Sequence, residues 1–191
     1  MKNSALFIVA FVFTFSFTQA QKCKFEKQEN DPFGGGSVLH SQIVSMLSLM
    51  SESRFDIQVQ KSGENYGLYV YANITSADPL AFSVQKGQQL LFLLENKDTV
   101  QVHSKETVFG KQPIVNDGMS SLAMKSYIGN IYNTYEISAS QLEKIKASPV
   151  QIIRICFTAS DNRELKVDYE KKLSKSGKEK LPLTIDCVLS N

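Results

Sequence analysis

The chain has no tryptophan, two histidines, three cysteines and five prolines in 191 residues, and each scarcity removes a class of function. His40 and His103 stand far from each other and from any cysteine. No two cysteines lie at C-x-x-C distance, so no metal site and no cofactor is expected. No Gly-x-Ser-x-Gly elbow surrounds any serine, and with two histidines a nucleophile and base pair has little to draw on. No catalytic residue is therefore assigned. Charge of one sign is missing too, with 21 basic against 19 acidic residues. Such a balance gives no electrostatic reason to expect nucleic acid as a partner. Beyond the first twenty residues, no apolar run reaches membrane-spanning length.

What is present begins at the start of the chain. Lys2 gives a positive flank, Ala5 to Phe17 is almost wholly apolar, and Thr18-Gln19-Ala20 closes the run with small residues at the two recognition positions. This reads as a signal peptide over residues 1–20, cleaved after Ala20. The apolar core is shorter than the roughly twenty residues a spanning helix needs. Lipidation at Cys23 would need small residues just before it, where Gln21 and Lys22 stand. A secreted or periplasmic location follows, in a compartment where disulfides persist. Cleavage removes Lys2 and no acid, which leaves the mature protein at a net charge of +1.

Three cysteines then imply one bridge and one free thiol. Spacing alone does not fix the pairing. Cys156 sits within the apolar run Val150 to Phe157 and reads as a small core residue, and the expected bridge is Cys23–Cys187, closing almost the whole mature chain into one loop. The chain-entropy model gives such a loop about 4 to 5 kcal/mol.

Residues 21–36 are polar and end in Asp31-Pro32-Phe33-Gly34-Gly35-Gly36, an arm leading into a single domain over 37–191. Residues 37–50 fit either a helix or an irregular strand. From there alternation dominates. Phe55, Ile57 and Val59 alternate with polar residues, Ser62-Gly63-Glu64-Asn65 turns, and Tyr66, Leu68, Val70 and Ala72 resume the pattern, which predicts a hairpin. Strands are predicted near 80–85, 90–94 and 99–104 in meander order, with Leu90 to Leu94 covered on both faces. A loop-rich stretch covers 105–125. Tyr127 to Ile137 reads as a strand, and Ser138, Ser140 and Glu143 offer a capping box for a short helix that Pro149 ends. Val150 to Phe157 and Leu165 to Tyr169 are further strands. Residues 181–189 fit a helix with Pro182 in its first turn or a last strand. The fold class is α+β and β-dominated: seven or eight strands in a mostly antiparallel sandwich or curved sheet, with one or two short helices.

Candidate function rests on tyrosine. Tyr66, Tyr69, Tyr71, Tyr127, Tyr132 and Tyr135 all fall in predicted strands and, on one sheet face, would give a rigid aromatic platform for an extracellular glycan or protein. Alternatively the tyrosines pack with their hydroxyls at the core edge, and the loop 105–125 is the better candidate for a contact surface. The expectation is a non-catalytic domain binding an extracellular or envelope ligand or partner. The alternative is a hydrolase acting on an envelope or host polymer through scattered carboxylates. Asn73-Ile74-Thr75 forms a glycosylation sequon, and the basic-rich segment from Arg163 to Lys180 reads as a solvated face.

The mature start Cys23-Lys24-Phe25-Glu26-Lys27 with Glu29, Asp31 and Phe33-Gly34, the Val84-Gln85-Lys86-Gly87 turn, the Tyr135-Glu136-Ile137-Ser138 helix entry and Cys187 resemble uncharacterised small exported β-rich proteins of Bacteroidetes-type bacteria. The resemblance implies a strand for residues 38–47. It brings no established activity and no functional residue.

Overall fold

Period-two alternation is the dominant signal of the chain, and strands are what it forms. A computed structural model describes residues 23–30, 37–48, 53–76, 81–116, 126–160 and 164–191; the predicted signal peptide, residues 1–20, lies outside the described residues. The strands are β1 (Phe25–Asn30), β2 (Ser37–Ser41), β3 (Val44–Ser45), β4 (Arg54–Ser62), β5 (Asn65–Ser76), β6 (Ala81–Val84), β7 (Gln89–Leu94), β8 (Thr99–Ser104), β9 (Val108–Phe109), β10 (Lys111–Asn116), β11 (Ser126–Ile137), β12 (Val150–Ser160) and β13 (Glu164–Lys172). The helices are α1 (Ala139–Ala147) and α2 (Lys175–Leu189). All thirteen strands join one antiparallel sheet, in the order β1-β2-β4-β5-β11-β8-β7-β12-β6-β9, with β3 on β4, β10 on β11 and β13 on β12.

The predicted β4–β5 hairpin forms in full register from Ser62↔Asn65 to Arg54↔Asn73. Gly63 opens its turn with φ of 57°, the left-handed value that a two-residue hairpin loop takes readily when glycine stands first. β11 then pairs with β5 from Tyr127↔Ser76 to Ile137↔Tyr66. Phe55, Ile57, Val59, Leu68, Val70, Ala72, Ile131 and Tyr135 consequently point to one side and are buried. The sheet is not closed by hydrogen bonding, but it curls until β6 returns to β11. Gly129 lies beneath the Phe82 ring, where a Cβ would come within 2.5 Å of Cδ2. Phe82 in turn meets Phe157 edge-on at 5.1 Å.

The helices plug the inside of this curl. In α1, Ser138 caps the helix through the Gln141 amide at 3.2 Å, and Gln141 Oε1 accepts from the Ser138 amide at 2.9 Å. The capping box thus uses Gln141, while Glu143 pairs with Lys146 one turn on. Gln141 also donates to the Gln101 carbonyl at 2.7 Å, tying α1 to β8. Leu142 and Ile145 face inward, as do Leu181, Ile185 and Val188 of α2. Pro182 is not in the first turn, because α2 starts at Lys175 and places it in the interior. A mid-helix proline forgoes one backbone bond and costs about 3 kcal/mol. Burial of the apolar residues on either side offsets that cost, at roughly 1.5–3 kcal/mol each.

Five expectations are corrected. Residues 25–30 are an edge strand paired with β2, not part of an arm. The stretch 105–125 holds β9 and β10, with 117–125 outside the described residues. β6, β7 and β8 are not a meander: β6 pairs with β12 and β9, because β12 runs on past the end of β7. β7 alternates between buried and half-buried residues, so one face is only partly covered. Thirteen strands form where seven or eight were counted, since the short β1, β3, β9 and β10 lack an alternation long enough to read. Residues 37–41 and 44–45 are strands, and α2 settles the C-terminal segment as helix. The bridge is Cys23–Cys187, joining the segment just before β1 to the last turn of α2 with Cα atoms 5.3 Å apart.

Gly177 explains how closely α2 can approach. Its backbone lies on Met46, whose carbonyl oxygen would stand 2.9 Å from a Cβ and already accepts the Ser174 amide at 2.9 Å. On propensity alone Gly177→Ala gains about 1 kcal/mol. Here the pinned carbonyl cannot withdraw, so the substitution should instead destabilise by about 1–3 kcal/mol, measured as a lower denaturant midpoint. A raised midpoint would refute the close docking.

Candidate functional site

The register that buries one side of β4, β5 and β11 arranges the other in rows. Directly paired residues share a face, so Arg54, Asn73 and Asn130 form one row, Asp56, Tyr71 and Tyr132 the next, and Gln58, Tyr69 and Thr134 the third. Three of the six predicted tyrosines therefore meet on the outer face. Tyr71 and Tyr132 lie with ring centroids 4.7 Å apart, and Tyr69 and Tyr132 are 40% and 59% exposed. Tyr69 also meets His40 at 6.1 Å. The Tyr71 hydroxyl donates to Asn130 Oδ1 at 2.8 Å, which fixes the ring.

The other tyrosines do not join them. Tyr66 has the parity of Leu68 and packs, half-buried, against the core with the Lys61 ammonium 5.5 Å from its ring centroid. Tyr135 is wholly buried inside the curl, where desolvation pushes its hydroxyl far above the ordinary phenol range. The side chain of Tyr127 lies outside the described residues. Alternation decides this division, since Tyr66 and Tyr135 are set an odd number of positions from Tyr69 and Tyr132.

The three outer tyrosines border a hollow of about 400 Å³, within the range of roughly 300–1,000 Å³ usual for small-molecule sites. The break between β2 and β3 brings Ile43 to its lining, 51% exposed. Asp56 lies in it at only 5% exposure. Its Oδ2 accepts from Arg54 Nε, and the Arg54 guanidinium sits 5.6 Å from the centroid of the Tyr71 ring. Its Oδ1 is buried with no hydrogen-bond partner, and so is Asn73 Oδ1 in the adjoining row. Gln58 Nε2, by contrast, donates to Glu26 Oε2 and the Ser41 carbonyl at 2.7 and 2.9 Å. The two buried atoms without a partner here are thus acceptors, whereas the Arg54 side chain stays 63% exposed.

Two further hollows, of about 660 and 730 Å³, continue along the sheet. Tyr69 borders the first and second, and Tyr66, Lys105 and Glu136 border the second and third.

Asp56 is the residue that sequence reasoning missed. Between Phe55 and Ile57 it reads as any outward acid of a half-buried strand, and only strand pairing sets it opposite Tyr71. Arg54 two residues earlier was its one local sign.

Elsewhere, His103 is exposed on β8, its Nδ1 within 3.0 Å of the Gly87 carbonyl and its Nε2 within 3.2 Å of Gln101 Nε2, the contacts of a structural histidine. The amide oxygen of Asn73 is buried in β5, so the sequon presents its side chain poorly for glycosylation. Among the described residues no cluster of histidine, cysteine or acid could hold a metal, and no helix is long and apolar enough to cross a membrane. Comparison with family models, curated proteins and solved structures finds no match for the chain.

Cys156 is a free thiol but not a core residue. It is half-buried on the outward face of β12, opposite Asp168 and two positions from Arg154, which pairs with Glu170 at 2.6 Å. Burial first, then a hydrogen bond to Asp168, pushes the thiol up to about 11. A free thiol titrates near 8.5, and only the thiolate is nucleophilic. The rate of Cys156 alkylation by iodoacetamide should therefore keep rising about tenfold per pH unit from pH 8 to 10. A plateau near pH 9 would contradict this environment.

Proposed function

We propose that the protein is an exported, non-catalytic binding protein, secreted or periplasmic, that takes an extracellular or envelope ligand through the outer face of β4, β5 and β11. One observation carries the reading: Tyr69, Tyr71 and Tyr132 converge on a hollow with Asp56, a buried carboxylate with one oxygen lacking a donor. Aromatic rings offer contact area at little entropic cost, and an orphan acceptor in a cavity asks for a ligand's donor. The alternative, a polymer hydrolase, draws less support. Glycoside cleavage needs a pair of carboxylates flanking the bond, and Asp56 is the one carboxylate lining this hollow.

Export is supported by the leader's residue pattern and by the bridge between Cys23 and Cys187, since such bonds form and persist in oxidising compartments. N-terminal sequencing of the protein recovered from the periplasm or medium should begin at Gln21. Recovery of the chain with Met1 intact from the cytosol would refute export.

The binding face is tested on arrays of glycans and peptides. Tyr132→Ala should weaken any bound species at least tenfold, as stacking residues commonly contribute more than 1 kcal/mol, while Arg154→Ala on β12 should change nothing. Equal binding by the Tyr132 variant would move the function off this face.

A further inference from the structure

We infer that the hollow receives the ring of an uncharged saccharide, with a sugar hydroxyl donating to Asp56 Oδ1. This rests on the outer tyrosine face being the binding surface and names what that surface takes.

Charge selects first. Asp56 and Arg54 are paired through Oδ2 and Nε, so the hollow carries no net charge from its two ionised side chains. An anion would meet the free side of a buried carboxylate. A cation would meet the Arg54 guanidinium, already lying over the face of Tyr71. Because the two are paired, each ion is attracted by one member and repelled by the other, and little Coulomb energy offsets its lost hydration. A neutral group carries neither penalty.

Hydrogen bonding selects next. The unmatched atom of a residue lining the hollow, Asp56 Oδ1, is an acceptor. A ligand must bring a donor. A hydroxyl does this while remaining uncharged. A bond to an ionised acceptor is worth roughly 1.5–3 kcal/mol, enough to orient one ring.

The remaining surface is aromatic. Tyr69 and Tyr132 present partly exposed rings, flat apolar surfaces against which the C–H face of a pyranose can lie, with polar edges at the rim. The hollow is also not isolated. Through Tyr69 it continues into the second, and through Tyr66, Lys105 and Glu136 into the third. A chain of several sugars fits that succession better than a single ring does.

The test titrates the protein with maltotetraose, cellotetraose, mannotetraose and N-acetylchitotetraose as neutral probes, tetragalacturonate as an anion, a chitosan tetramer as a cation, and tetra-alanine as a peptide. Because the chain contains seven tyrosines and no tryptophan, the emission that changes with binding is tyrosine's, and its loss of response in Tyr132→Ala assigns the change to this face. At least one neutral tetrasaccharide should bind saturably, and more tightly than either charged one. Asp56→Asn should weaken it at least tenfold, and Tyr132→Ala, an exposed change that leaves the core untouched, should do the same. No binding of any neutral sugar, or preference for a charged one, overturns the inference. Tetra-alanine binding that is lost in Tyr132→Ala, with no sugar bound, overturns it and leaves the tyrosine face standing as a peptide site. Sugar binding indifferent to both substitutions overturns the two together.

Discussion

The registry between β5 and β11 is the constraint on which the rest depends. Eleven consecutive pairs, from Tyr127↔Ser76 to Ile137↔Tyr66, hold two long strands side by side, and β4 follows β5 in the same manner on its other edge. Side chains alternate with period two, so a slip of one residue would send Tyr71 and Tyr132 into the interior and bring Ala72 and Ile131 out. Core and candidate site are therefore a single decision. The apolar set Phe55, Ile57, Val59, Leu68, Val70 and Ile131 makes the slipped register costly, at roughly 1.5–3 kcal/mol for each side chain exposed. The outer rows inherit their positions from that penalty.

The second organising element is the closure of the ends. β1 is an edge strand whose backbone pairs with β2, and α2 carries a proline in its interior. Each is marginal by itself. The Cys23–Cys187 bridge ties one to the other, and the loop it closes spans 164 residues. Such a loop stabilises by about 5 kcal/mol at most in the chain-entropy account. Gly177 completes the arrangement by letting α2 rest against the backbone at Met46. The helix thus caps the open end of the curl without itself being a strong helix.

Legibility followed periodicity. The β4–β5 hairpin, β11, β12 and α1 were plain in the sequence because their patterns extend for several residues and end in turn or capping chemistry. β1, β3, β9 and β10 were not, since two to six residues of mixed character hold shape only through their partners. The capping box was misassigned to Glu143 because Ser140-x-x-Glu143 and Ser138-x-x-Gln141 overlap, and the actual start of α1 chooses between them. The tyrosines were legible as a group but not as a surface. Parity within a strand separates Tyr69 from Tyr66, yet nothing local says that Tyr132 falls beside Tyr71 rather than one row away. Asp56 was illegible for the same reason, since its burial comes from chains far off in sequence.

That a carboxylate should be held there at all is informative. Burying an acceptor without its donor costs roughly 1–3 kcal/mol, more when it is charged, in a protein whose total margin is on the order of 5–15 kcal/mol. A threonine or valine at position 56 would suit a strand better than aspartate does. Local departures of this kind concentrate where a protein does something other than fold. Tyr135 offers the contrast: its hydroxyl is also unmatched, but it lies inside the curl and lines none of the three hollows, where the aromatic ring's packing accounts for its presence. Asp56 faces a hollow lined by aromatic rings, and no comparable packing benefit accrues to a carboxylate. In the proposed function that cost is recovered when a bound ligand supplies the missing hydrogen.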